Sequence, residues 1–170
     1  MSKLITSTLA AAALAAGLAA PLAAAGAVLG PEASACNAGS GRPAFLVNVS
    51  GFKQRSGEVR VQLYPANGSF LAKGKWLRRI DVPVARSGPM RICVPAPRPG
   101  TYAIAVRHDV QGNGSDWNDG GGFSRNPKLS LLRYKPTYQQ VSIKVGSGVQ
   151  PVDVLLNYRQ GLSIGPARRG

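Results

Sequence analysis

Gly57-Glu58-Val59-Arg60-Val61-Gln62-Leu63-Tyr64 is the stretch that decides the fold. Val59, Val61 and Leu63 take every second position, with Glu58, Arg60 and Gln62 between them. Successive side chains of a strand leave opposite faces, so this alternation builds one apolar face and one wet face. Working outward, the same period recurs at Phe45/Val47/Val49, Ile80/Val82/Val84 and Met90/Ile92/Val94. It recurs again at Tyr102/Ile104/Val106, Val141/Ile143/Val145 and Val152/Val154/Leu156. These segments predict an all-β, seven-stranded antiparallel sandwich, the architecture in which each sheet keeps one side wet.

Turn chemistry separates the segments. Ser56-Gly57, Asn67-Gly68, Ser87-Gly88-Pro89, Pro99-Gly100 and Gly146-Ser147-Gly148 punctuate the chain, which carries 21 Gly and 13 Pro. Pro83 has no N–H to give a ladder, so its strand is expected at an edge. One helical turn is expected within 69–77, with Phe70, Leu71 and Trp76 capping one end of the core. Residues 109–137 read as one long Gly/Asn-rich loop, and a connection of that length in a small domain is usually functional or poorly ordered.

The N-terminal region has another character. Lys3 is followed by an apolar, alanine-rich run with no charge until Glu32. A basic start, an apolar centre and small residues at the end are the marks of a secretory signal peptide. Ala33-Ser34-Ala35 precedes Cys36 as an A-x-A cut site, and Ala23-Ala24-Ala25 is a second candidate. The expected organisation is a signal peptide at 1–35, a short segment at 36–43, the sandwich at 44–158 and a tail at 159–170. A membrane anchor is the competing reading, but Ala, Gly and Pro21 make the run weakly apolar. Lipidation of Cys36 is another, although the residue three before it is Ala33 rather than a larger aliphatic. In an oxidising compartment Cys36 and Cys93 are expected to pair as a disulfide.

The charge is lopsided: 21 Lys and Arg against 7 Asp and Glu, a formal net charge of +14. The cations are dispersed, so they do not form a disordered basic tail. They act either as a solubilising surface or as an attraction for an anionic partner. For an exported protein that partner is a lipid head group, lipopolysaccharide or a cell-wall polymer, and not nucleic acid.

The chemistry-bearing residues gather at 108–125. Asp109, Asp116 and Asp119 crowd into one window of a basic chain. Asp109, Gln111, Asn113 and Gly114 partly follow the oxygen-alternating pattern of a calcium loop, with Ser115, Asp116 and Asp119 as later oxygen donors. Gln111 and Gly120 depart from that pattern, and an Asx-rich turn explains the same composition without a metal. His108, the single histidine, is expected as a hydrogen-bonded side chain at the sheet rim, or else as a base beside Asp109. Trp117 is expected to plug the sandwich end, or else to stack on a sugar ring. His108, Trp117, Phe123 and Arg125 form the candidate ligand set. No nucleophile elbow, phosphate loop or zinc motif occurs, so no catalytic residue is assigned.

The runs Val47-Asn48-Val49-Ser50-Gly51-Phe52, Gly57 to Tyr64 and Pro99-Gly100-Thr101-Tyr102-Ala103-Ile104-Ala105-Val106-Arg107-His108-Asp109, followed by Gly112-Asn113-Gly114 and Gly122-Phe123-Ser124-Arg125-Asn126, resemble the bacterial Domain of Unknown Function 2141 family. The resemblance spans about residues 44–158. It implies an exported immunoglobulin/transthyretin-like sandwich, similar to carboxypeptidase-regulatory-like domains, which are mostly accessory or binding modules. The expected role is a non-catalytic, periplasmic or secreted binding or structural module of the envelope, with no resident cofactor and no membrane span after cleavage. A calcium-stabilised domain is the first alternative. A hydrolase built on His108 and the loop carboxylates is the second.

Overall fold

The computed structural model describes residues 26–167. The first 25 residues of the expected leader therefore lie outside the described residues.

The chain forms two sheets around one core. The strands are β1 (Val28–Leu29), β2 (Ala44–Ser50), β3 (Glu58–Pro65), β4 (Arg78–Pro83), β5 (Met90–Pro95) and β6 (Gly100–Asp109). They continue as β7 (Gly120–Phe123), β8 (Ser142–Val145), β9 (Val149–Leu155), β10 (Asn157–Gln160) and β11 (Ser163–Pro166). A one-turn helix, α1 (Tyr138–Val141), opens on Thr137 with a capping box to Gln140. The smaller sheet runs β1-β5-β2-β9 and the larger runs β11-β10-β7-β6-β3-β4, with β8 also paired to β6. No helix among the described residues is long and apolar enough to cross a membrane.

Alternation dictates which face is buried. Val59, Val61 and Leu63 of β3 meet Val47 and Val49 of β2, Ile92 and Val94 of β5, and Val152 and Val154 of β9 in the shared core. Removing these branched side chains from water is the main favourable term, about 1.5–3 kcal/mol for each. Strand β6 is the spine: β3 lies along one edge, while β7 and β8 share the other. Pro83 lies on β4, which ends the larger sheet as expected.

Several features depart from the sequence reading. The sheets are not wholly antiparallel, since β1 pairs with β5 and β2 with β9 in parallel. A parallel pair needs a long crossover, and the chain between β2 and β9 supplies one. The helical turn expected within 69–77 is an irregular series of turns, in which Leu71 has φ 62° and the backbone N–H of Lys75 reaches only back to Ala72. Phe70, Leu71 and Trp76 pack on the outer face of the larger sheet with Tyr64, Ala103, Ala105 and Phe123, rather than on the end of the core.

The loop expected over 109–137 is interrupted by β7, and the tail expected at 159–170 contributes β10 and β11. Glycines normally break strands, but here the space a side chain would need is already filled. A Cβ on Gly122 would stand 2.6 Å from the Val154 side chain, and one on Gly120 would stand 2.5 Å from the Tyr158 ring.

Residues before 44 also belong to the fold. Strand β1 extends the smaller sheet along β5, and Ala35, Cys36, Ala44 and Cys93 make a small buried cluster on its outer face. Cys36 and Cys93 are joined in a disulfide.

Candidate binding groove on the larger sheet

The side chains that β3, β6, β7 and β10 turn away from the core make the floor of a groove. Gln62 and Tyr64 come from β3, Ala105 and Arg107 from β6, Phe123 from β7, and Asn157 and Arg159 from β10. One wall is the 115–119 turn with Trp117, and the other is the 129–135 segment with Leu129, Leu131, Tyr134 and Lys135. The volume is about 900 Å³, within the range of pockets that hold small ligands. Tyr64, Phe70 and Phe123 meet edge to face, at centroid separations of 5.4 Å and 6.1 Å, which stiffens the floor. Burial raises the Tyr64 hydroxyl above the ordinary tyrosine range, so it serves the groove as a neutral hydroxyl.

The rim pairs rings with cations. Trp117 is 77 % exposed, so the expected plug at the sandwich end is corrected: the ring lies in the open beside the groove. The Arg159 guanidinium lies 4.6 Å from the Trp117 ring centre, and the Lys135 ammonium lies 5.4 Å from that of Tyr134. Both arrangements suit cation–π attraction.

The acids of the 109–119 segment are turned on their own backbone. Asp109 Oδ1 accepts the N–H groups of Gly112 and Asn113. Its Oδ2 accepts the N–H of Gly114 and a guanidinium N–H of Arg107. Burial opposes ionisation of Asp109, but those donors outweigh it and hold the carboxyl below the usual range. Asp119 accepts the N–H groups of Val110 and Asp116, with Arg107 Nε at 3.9 Å. Asp116 accepts from Asn118, and the Gln111 oxygen accepts from the Asn113 amide. Arg107 thus stands between Asp109 and Asp119, where the sequence reading placed a cation. Ser115 lines the groove. No group of three or more His, Cys, Asp or Glu positioned to hold a metal is found among the described residues.

The four candidate ligand residues do not converge. Trp117 and Phe123 share the groove. Arg125 lines a separate crevice of about 340 Å³ with Lys144 and Asp153, and donates to the Gln139 carbonyl. His108 is fully buried on the core side of β6 rather than at the rim, which corrects its place in the ligand set. Its Nε2 faces the Ser56 carbonyl at 2.8 Å, an oxygen that can only accept, so Nε2 carries the proton. Its Nδ1, 2.7 Å away, takes the Tyr158 hydroxyl proton, and the Tyr158 oxygen in turn accepts the Lys53 N–H. Burial, opposed by the Lys53 amide and by Arg55, pushes the Tyr158 hydroxyl up to about 12.

Sequence reading missed Tyr64, Arg107, Leu131, Tyr134, Lys135 and Arg159 as groove residues. The one available signal was Leu131-Leu132 inside a polar, proline-flanked stretch with no alternation to bury it.

A family model described as "Uncharacterized protein conserved in bacteria (DUF2141)" matches residues 47–153, well over half of the chain. No curated protein matches, and no solved structure matches.

Proposed function

The chain belongs to the DUF2141 family, and we propose that it is an exported, non-catalytic module of the bacterial envelope that holds an anionic component in the groove of its larger sheet. The observation that carries this reading is the meeting of Lys135 and Arg159 with open Trp117 and Tyr134 rings at one concavity. A net charge of +14 attracts polyanions at long range, and the aromatic rims add short-range stacking. The two-sheet core supports the finer reading of an immunoglobulin/transthyretin-like accessory domain. The engagement of both His108 nitrogens supports a structural rather than a catalytic histidine.

Arg107 lying between Asp109 and Asp119 supports a self-capped turn over the calcium alternative. A melting midpoint that is the same with calcium and with a chelator is the expected result, and a rise with calcium establishes the alternative.

The disulfide suits an oxidising compartment, periplasmic or secreted. Of the two A-x-A sites, cleavage after Ala25 leaves β1 and the buried Ala35 in the mature domain, whereas cleavage after Ala35 removes β1 from β5. Mass spectrometry of the exported protein is expected to give Gly26 as the first residue. A chain beginning at Cys36, with or without lipid, contradicts this.

The binding role is tested by retention on isolated envelope fractions and on a lipid-free acidic polysaccharide, at low and high salt. Binding is expected to fall steeply with salt, and in Lys135→Ala/Arg159→Ala by about tenfold. Salt-independent retention overturns the reading.

A further inference from the structure

The most open large apolar side chains among the described residues are Leu132, 95 % exposed, Leu162, 90 %, Trp117, 77 %, and Tyr134, 54 %. Two of them line the groove, and the other two belong to segments that line it. Trp117 and Tyr134 line it, and Leu132 lies between Leu131 and Tyr134, which both line it. Leu162 is at the tip of the β10–β11 hairpin, whose Arg159 and Ile164 line it. Scattered surface leucines need no account, but apolar residues gathered on one rim mark a contact surface. Tryptophan and tyrosine are the rings that settle where an apolar phase meets a wet one. Cations are set among them: Arg159 against the Trp117 ring, Lys135 against the Tyr134 ring, and Arg133 exposed between Leu132 and Tyr134. The acids nearby do not outnumber these cations: Arg107 stands against Asp109 and Asp119, and with Arg133, Lys135 and Arg159 it makes four cations against Asp109, Asp116 and Asp119.

We infer that this rim docks the protein on the surface of an anionic lipid bilayer. Leu132 and Leu162 enter the acyl boundary, Trp117 and Tyr134 lie at the head-group level, and Arg133, Lys135 and Arg159 meet the phosphates. The inference rests on the groove reading above and names a lipid surface as the occupant. Charge selects the bilayer over a second copy of the chain, since two such rims face to face bring like cations together in a protein of net charge +14.

The test uses the mature chain carrying Trp76→Phe, which leaves Trp117 as the only tryptophan. The probes are vesicles of phosphatidylcholine with and without phosphatidylglycerol. The expected result is co-sedimentation with the anionic vesicles, a blue shift of Trp117 emission, and weakening by salt. Leu132→Ser/Leu162→Ser is expected to weaken binding by about tenfold or more. Both leucines are solvent-exposed, so this variant keeps its circular dichroism spectrum and melting midpoint. No co-sedimentation, an unshifted emission, or a double variant that binds as well as the parent overturns the docking. Retention on the acidic polysaccharide without vesicle binding overturns the docking and leaves the groove reading standing. Loss of both overturns both. A stable dimer in solution that shields Trp117 from a soluble quencher assigns the rim to a second copy, and also overturns the docking.

Discussion

Tyr158 shows how one side chain joins distant parts of the molecule. It covers Gly120 on the neighbouring strand, donates to His108 and accepts from Lys53. Tyr158→Phe keeps the ring over Gly120 but leaves His108 Nδ1 and the Lys53 N–H without their partner. A buried polar group left unpaired costs about 1–3 kcal/mol, so the urea midpoint is expected to fall by a corresponding amount. An unchanged midpoint means that water replaces the hydroxyl. Gly57 is a second such point, with φ 72° and an ideal Cβ position only 1.9 Å from the Asp109 carbonyl oxygen. Gly57→Ala is expected to cost about 2 kcal/mol or more, read from the same unfolding curves.

The 109–119 turn is held by one carboxylate more than by its sequence of turn residues. Asp109 binds three backbone N–H groups and Arg107, and its carboxyl lies below its ordinary value of 3.8. A carboxyl lowered by folding stabilises the native state above its unfolded value, and that stability is lost as pH falls through the lower folded value. The wild-type protein is therefore expected to lose stability below about pH 4, with Asp109→Asn less stable near neutrality and flatter across the acid limb. Parallel acid limbs in the two proteins contradict this role for Asp109.

At this same scale the sequence was legible for the alternating strands and opaque elsewhere. Val59, Val61 and Leu63 announce β3 because one buried face imposes a period of two. Gly120-Gly121-Gly122 hides β7, because its side-chain space belongs to Val154 and Tyr158, which are distant in sequence. The groove was hidden for the same reason: Tyr64, Trp117, Tyr134 and Arg159 meet only through sheet order. Cys36 and Cys93 were legible as a pair because they are the chain's two cysteines.

Taken whole, the molecule is closed by contacts between early and late residues. The disulfide ties Cys36 to Cys93 across 57 residues, a loop whose closure is worth about 4 kcal/mol in the chain-entropy treatment. Reduction of the folded protein is expected to lower stability by about 2–4 kcal/mol, read as a lower melting midpoint, while preserving the two-sheet circular dichroism spectrum. Collapse of that spectrum on reduction would mean that the core needs the covalent tie to form.

The parallel ladder between β2 and β9 has a kinetic meaning. Asn48 reaches Asp153 across 105 residues, and each of the seven residues of β2 has its β9 partner equally late in the chain. While a ribosome or a translocation pore still holds the region beyond Gly148, the smaller sheet has a vacant flank at β2 and cannot close. Pairings so distant along the polymer form slowly, so the smaller sheet is completed only after almost all of the chain has emerged.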